Sequence, residues 1–190
     1  DCLLSRGLGD VYKRQLYQKG DYEALGQLIG DIKQQNDHLA QTQFTENFTV
    51  NTILQDAAYR AAQSDIRFEA LVSVPPQLTV AESDLCELLM NMLDNALEAA
   101  AEADAGKRFV RFQIETKNGF LAVKCENSYS GKRRQDANGN YITTKNDAET
   151  HGFGLKLMSA VAVRYHSMLD IFTSENQTFT VQTALKLPKK

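Results

Sequence analysis

Residues 90–100 read MNMLDNALEAA, and two asparagines four apart, Asn91 and Asn95, sit among Leu88, Leu89, Met92, Leu93, Ala96, Leu97, Ala99 and Ala100. That spacing puts both carboxamides on one side of an α-helix, a turn apart. The helix reads from VAESDLCELL through ALEAAAEA, with alanine-rich content favouring it and Ser83 or a neighbour expected to cap its start. Its apolar content marks it as a core element. Carboxamides are costly to bury without partners, so the pair needs something to satisfy it.

Working outward, IRFEALVSVPP before this helix reads as a strand closed by Pro75 and Pro76. TVNTILQDAAYRAAQS, earlier still, reads as a helix with Ile53, Leu54, Ala57, Ala58 and Ala61 on one side. GDYEALGQLIGDIKQQNDHLA carries a helical stripe at Leu25, Leu28, Ile29, Ile32 and Leu39, with Asp21 at the cap position. Downstream, RFVRFQIET and GFLAVKCEN alternate and meet at Lys117-Asn118-Gly119, a tight-turn hairpin signature. SYSGKRRQDANGNYITTKNDAET is polar and long enough that a compact domain would keep it for function. HGFGLKLMSAVAVRYH returns to helix behind two glycines, and MLDIFTSENQTFTVQTALKLP closes as a second hairpin around Glu175-Asn176-Gln177. This order predicts an α+β chain, a two-layer α/β sandwich with helices on one face of an antiparallel or mixed sheet.

Composition narrows the function classes. The 190 residues are 43% hydrophobic and 24% charged, as in a globular domain with a helical appendage. A net charge of −3 supplies no general basic field, which argues against a nucleic-acid partner. Cys2, Cys86 and Cys125 match no zinc or redox spacing, so a reducing compartment is expected. No apolar run approaches the ~18–20 residues of a membrane span.

The first stretch, DCLLSRGLGDVYKRQ, lacks an initiator methionine, and its pattern does not continue into the segment after it. Its GDVYKRQ resembles a translated transposon sequencing adapter, so residues 1–15 are expected to be a library artefact and are set aside for the fold.

Several residues bear on chemistry. Asn127 stands where the strand LAVKCEN exits, and Gly152 and Gly154 open the next helix, with Lys145 on the loop before it. A helix start offers unpaired N–H groups and the positive end of its dipole to a phosphate. Glycine there lets a ligand approach. An asparagine oxygen suits a hard cation such as Mg²⁺, which commonly bridges to phosphate.

MLDNALEA, CENS, TTK and HGFGL, in that order on those elements, resemble the GHKL (Bergerat) ATP-binding fold of sensor histidine kinases. More narrowly they are similar to the peptide-pheromone, accessory-gene-regulator receptor type, a quorum-sensing group. The resemblance runs from about Leu16 to Pro188. It implies a second dimerisation-hairpin helix over residues 16–46 and a GHKL catalytic domain over 47–190. It implies ATP and Mg²⁺ as cofactors, with Asn95 as the magnesium asparagine and Asn91 near the phosphates. Asn127 falls where the adenine-accepting aspartate commonly lies. The family's D-x-G-x-G then spans Asn127 to Gly131, with Tyr129 replacing the first glycine. An amide accepts without charge assistance, so weaker adenine binding is expected. Gly152, Phe153, Gly154 and Leu155 match the second glycine box, Lys145 the lid, and His151 a helix cap or phosphate contact.

Relatives that hydrolyse ATP carry a glutamate where Asn91 stands, and an amide is no general base. Glu87 lies one turn further back. Hydrolysis is therefore not the expected chemistry; the resemblance implies transfer of the γ-phosphoryl group to a histidine, with the protein positioning groups and neutralising charge. His38, His151 and His166 lack the acceptor pattern, so the acceptor is expected on a helix upstream of this piece. The family further implies a homodimer in the full-length protein, a cytoplasmic response regulator as partner, and a cytoplasmic domain of a cell-membrane protein anchored by spans outside this piece. Two alternatives stand beside this: a GHKL module that binds nucleotide without phosphotransfer, and a serine kinase of the anti-sigma-factor type.

Overall fold

The computed structural model describes residues 42–130, 134–135, 141–142, 153–174 and 176–188. The expected helix over 21–40, the artefact segment, and site residues Lys145, His151 and Gly152 lie outside the described residues.

Helix α1 (Phe48–Gln63) is capped by Asn47, whose Oδ1 accepts the Val50 N–H at 3.0 Å. The same side chain donates Nδ2 to the Pro76 carbonyl at 3.0 Å, tying the helix start to the turn after the first strand. That strand, β1 (Arg67–Ser73), alternates between exposed and half-buried residues, the period-2 signature of a two-faced sheet. Helix α2 (Glu82–Ala101) follows, then β2 (Phe109–Lys117) and β3 (Phe120–Ser128). Asn118 (φ 52°) and Gly119 (φ 78°) turn this hairpin. Two positive φ values in a two-residue loop are what a right-twisted hairpin requires, so the Asn-Gly signal and the structure agree.

Short strands β4 (Arg134–Gln135) and β5 (Tyr141–Ile142) pair with each other inside the long polar segment. Helix α3 (Phe153–Arg164) ends at His166 with φ 54°, a left-handed residue that stops the helix. Strands β6 (Asp170–Thr173) and β7 (Thr178–Lys186) form the last hairpin.

The sheet order is β1-β2-β3-β7-β6. β1 and β2 run parallel with α2 crossing between them, and every other pair is antiparallel, so the sheet is mixed. The three helices cover one face. Leu85, Leu88, Leu89, Met92 and Leu93 of α2 share one core with Phe112 and Ile114 of β2, Leu121 and Val123 of β3, and Phe179, Val181 and Leu185 of β7. Val50 and Leu54 of α1 and Met158 and Val161 of α3 complete it. This is the expected α+β two-layer sandwich.

One expectation changes. Ser83 lies inside α2 and does not cap it: the N-cap is Ala81, which makes no side-chain cap bond. Its N–H is instead met by the Tyr165 hydroxyl at 3.0 Å, from 84 residues further along the chain.

Candidate functional site

Asn91 and Asn95 fall on the half-buried flank of α2, between core positions and solvent. Asn91 Nδ2 donates to the Glu87 carbonyl one turn back at 2.6 Å, and its Oδ1 faces Gly154 of α3. The Asn95 carboxamide takes no hydrogen bond among the described residues. Asp94 between them leans the other way, onto Arg60 of α1 at 2.5 Å.

The start of α3 comes down on this pair. A Cβ placed on Gly154 would lie 3.2 Å from Asn91 Oδ1, 3.3 Å from Asn95 Nδ2 and 3.7 Å from Asn95 Oδ1. No side chain larger than hydrogen fits there without moving an amide. Gly154 belongs to the first turn of α3, whose N–H groups have no helical acceptor and carry the positive end of the dipole. Two carboxamides and a helix start thus converge on one point. Leu155, next along, packs half-buried against the core and anchors that turn. The backbone of Phe153 opens α3.

Asn127 lies in β3, two per cent exposed, paired across the sheet with Val110 and Phe179. Strand parity puts it with Leu121, Val123 and Cys125 on the face that the helices cover. Its Nδ2 donates to the Ser128 carbonyl at 2.8 Å, so the side chain is oriented and its Oδ1 is kept as an acceptor. Tyr129 continues from there, its ring edge-on to Phe179 at 6.3 Å. The structure therefore brings Asn91, Asn95 and Gly154 together and fixes Asn127 separately on the sheet under the same helical layer.

Glu87, the nearest carboxylate upstream of Asn91 on this helix, is engaged. Its Oε2 lies 2.7 Å from Arg164 Nη2 at the far end of α3. Arg164 Nη1 also meets Asp84 Oδ1 at 2.9 Å, and the Tyr165 hydroxyl donates to Asp84 Oδ2 at 2.8 Å. Burial pushes the Tyr165 phenol above its usual range, with the Asp84 carboxylate adding to the shift. None of Asp84, Arg164 and Tyr165 is signalled by a local motif, because the partners are some 80 residues apart.

No group of three or more His, Cys, Asp or Glu side chains among the described residues is arranged to hold a metal ion. A groove of about 710 Å³ lies on the sheet face away from the helices, between Leu71, Gln113, Lys124, Met168 and Asp170. It holds none of the residues singled out by sequence.

A family model for the GHKL domain matches residues 80–186. No curated protein matches the sequence. Among solved structures, an Acinetobacter baumannii histidine kinase, AdeS, aligns with TM-score 0.52 and 17% identity, over 90% of this chain and 82% of that one. A nucleotide-free catalytic domain of the histidine kinase ThkA aligns with TM-score 0.56 and 15% identity, over 74% and 97%. A histidine kinase from Burkholderia phymatum gives 0.56 and 15%, over 88% and 81%. At these identities the likeness is one of fold.

Proposed function

We propose, because this chain belongs to the GHKL domain family, that it is the ATP-binding catalytic region of a two-component sensor histidine kinase. The observation that carries this reading is the approach of Gly154 to Asn91 and Asn95 beneath the start of α3. A triphosphate is the ligand that suits such a place, since its charge answers the helix N-terminus and its oxygens accept from amide donors. Asn127 Oδ1 would accept from the adenine amino group. Gly152, Phe153 and Leu155 would complete the phosphate turn, with Lys145 adding a positive charge and His151 capping the helix or contacting a phosphate.

Magnesium fits the donor set as a companion of the nucleotide, because the carboxamide oxygen of Asn95 is a hard ligand. Bound there, it would neutralise phosphate charge. The chain's own residues would bind and orient the triphosphate, while the lack of a free carboxylate beside Asn91 among the described residues spares it from hydrolysis. Glu87 is unsuited to activate water while Arg164 holds it. The γ-phosphoryl group is then available to a histidine on a dimerisation helix, and from there to a response regulator. The receptor subtype, dimerisation, and attachment to a membrane through another part of the protein belong to the same reading. Among the described residues no helix is long and apolar enough to cross a membrane.

Asn127 in place of an aspartate favours a second reading, a nucleotide-binding module without transfer. Calorimetric titration with a non-hydrolysable ATP analogue, with and without Mg²⁺, tests the site. Asn95→Ala is expected to weaken the magnesium-dependent binding roughly 10- to 100-fold, the worth of one charge-assisted contact. Labelled ATP supplied with a separately made acceptor helix then separates the readings: label on the histidine supports the kinase, and binding without transfer supports the module.

A further inference from the structure

At Gly154 an added methyl group would be too close to Asn91 and Asn95 by a few tenths of an ångström, and something must hold α3 at that spacing. Both helices bring aliphatic side chains to the shared core: Leu85, Leu88 and Met92 from α2, Met158 and Val161 from α3. Apolar contact is non-directional and repacks over such distances. Hydrogen bonds and ion pairs are directional. The described polar contacts between these helices gather at the other end of α3. Arg164 reaches Asp84 at 2.9 Å and Glu87 at 2.7 Å, while the Tyr165 hydroxyl bridges the Ala81 N–H and Asp84.

Glu87 connects this cluster to the asparagines. Its carboxylate takes Arg164, and its carbonyl takes Asn91 Nδ2 at 2.6 Å. We infer that Arg164 and Tyr165 are positioning residues that set the register of α3 on α2, and through it the geometry of Gly154, Asn91 and Asn95. The significance of that geometry for nucleotide rests on the function proposed above. Neither residue touches the ligand. Arg164 is half-exposed, so its ion pairs add little to stability and their consequence is geometric. Tyr165 also satisfies the first orphan N–H of α2, so one hydroxyl fixes both the start of that helix and its neighbour.

Tyr165→Phe removes one oxygen and Arg164→Met keeps an apolar stem, so both variants retain the core. In the ligand-free protein, the side-chain amide resonances of Asn91 and Asn95 and the backbone amide of Gly154 are expected to shift in each variant. Affinity for the ATP analogue is expected to fall roughly three- to tenfold. The loss should be less than additive with Asn91→Ala, because both changes act on one geometry. Unmoved amide resonances in both variants, with only a lower melting temperature, would overturn the inference and leave these bonds merely stabilising. Wild-type protein that binds no nucleotide would sink the proposed function instead, and the ligand-free spectra would still decide whether the register is set here.

Discussion

Gly154 opposes two requirements within one residue. Alanine is the better helix former, by up to about 1 kcal/mol in a helix interior and less in a first turn. Its methyl group would lie 3.2 Å from Asn91 Oδ1 and 3.3 Å from Asn95 Nδ2, and both neighbours are rotatable amides rather than backbone. Gly154→Ala is therefore expected to melt no lower than the parent while binding nucleotide roughly tenfold more weakly or worse, read by paired melts and calorimetry. Cys125 is a different case. It is buried, and burial pushes its thiol up to about 12, with the Glu126 carboxylate adding to the shift. The folded state keeps the proton where the unfolded chain, near 9.0, has lost it, so stability falls as pH rises from 9.0 toward 12. The slope from this group is up to about 1.4 kcal/mol per pH unit, and Cys125→Ala should flatten it in melts taken across that window. At this scale the sequence is informative wherever a residue type has few uses. Paired glycines and regularly spaced asparagines announce themselves, whereas nothing in RYHSML marks Arg164 or Tyr165 as partners of ESDLCE.

Elements are legible when their own periodicity or turn chemistry defines them. The alternation in β2 and β3 and the Asn-Gly between them suffice for the hairpin. Gly119→Ala tests the turn alone. No atom lies within 4 Å of the added methyl, so the cost is backbone strain at φ 78°, roughly 1–2 kcal/mol in urea unfolding. The cap of α2 is not legible, because its acceptor comes from beyond α3. Nor is the pairing of β4 with β5, since two-residue strands carry no period to read.

For the whole molecule, side-chain pattern specifies layers more readily than strand order. One buried face and one open face follow from alternation. Leu88→Ala, at a fully buried position, is expected to cost about 2–5 kcal/mol, whereas Leu71→Lys, 66% exposed on the open face, should stay within about 0.5 kcal/mol by the same urea measurement. Nothing local shows that β1 joins β2 in parallel or that β7 lies between β3 and β6. Both pairings depend on contacts between segments that are distant in sequence, and helix and strand periodicity contain no information on those. The position of β7 has a consequence for biosynthesis. Residues 178–186 emerge from the ribosome after every other described strand, yet they occupy an interior slot whose Phe179, Val181 and Leu185 fill the common core. Until they arrive, β3 presents a bare hydrogen-bonding edge and the helices cover an incomplete floor. A nascent chain halted shortly before Thr178 would thus be a natural client for chaperones, and the last nine-residue strand would act as the closing step that makes the domain competent.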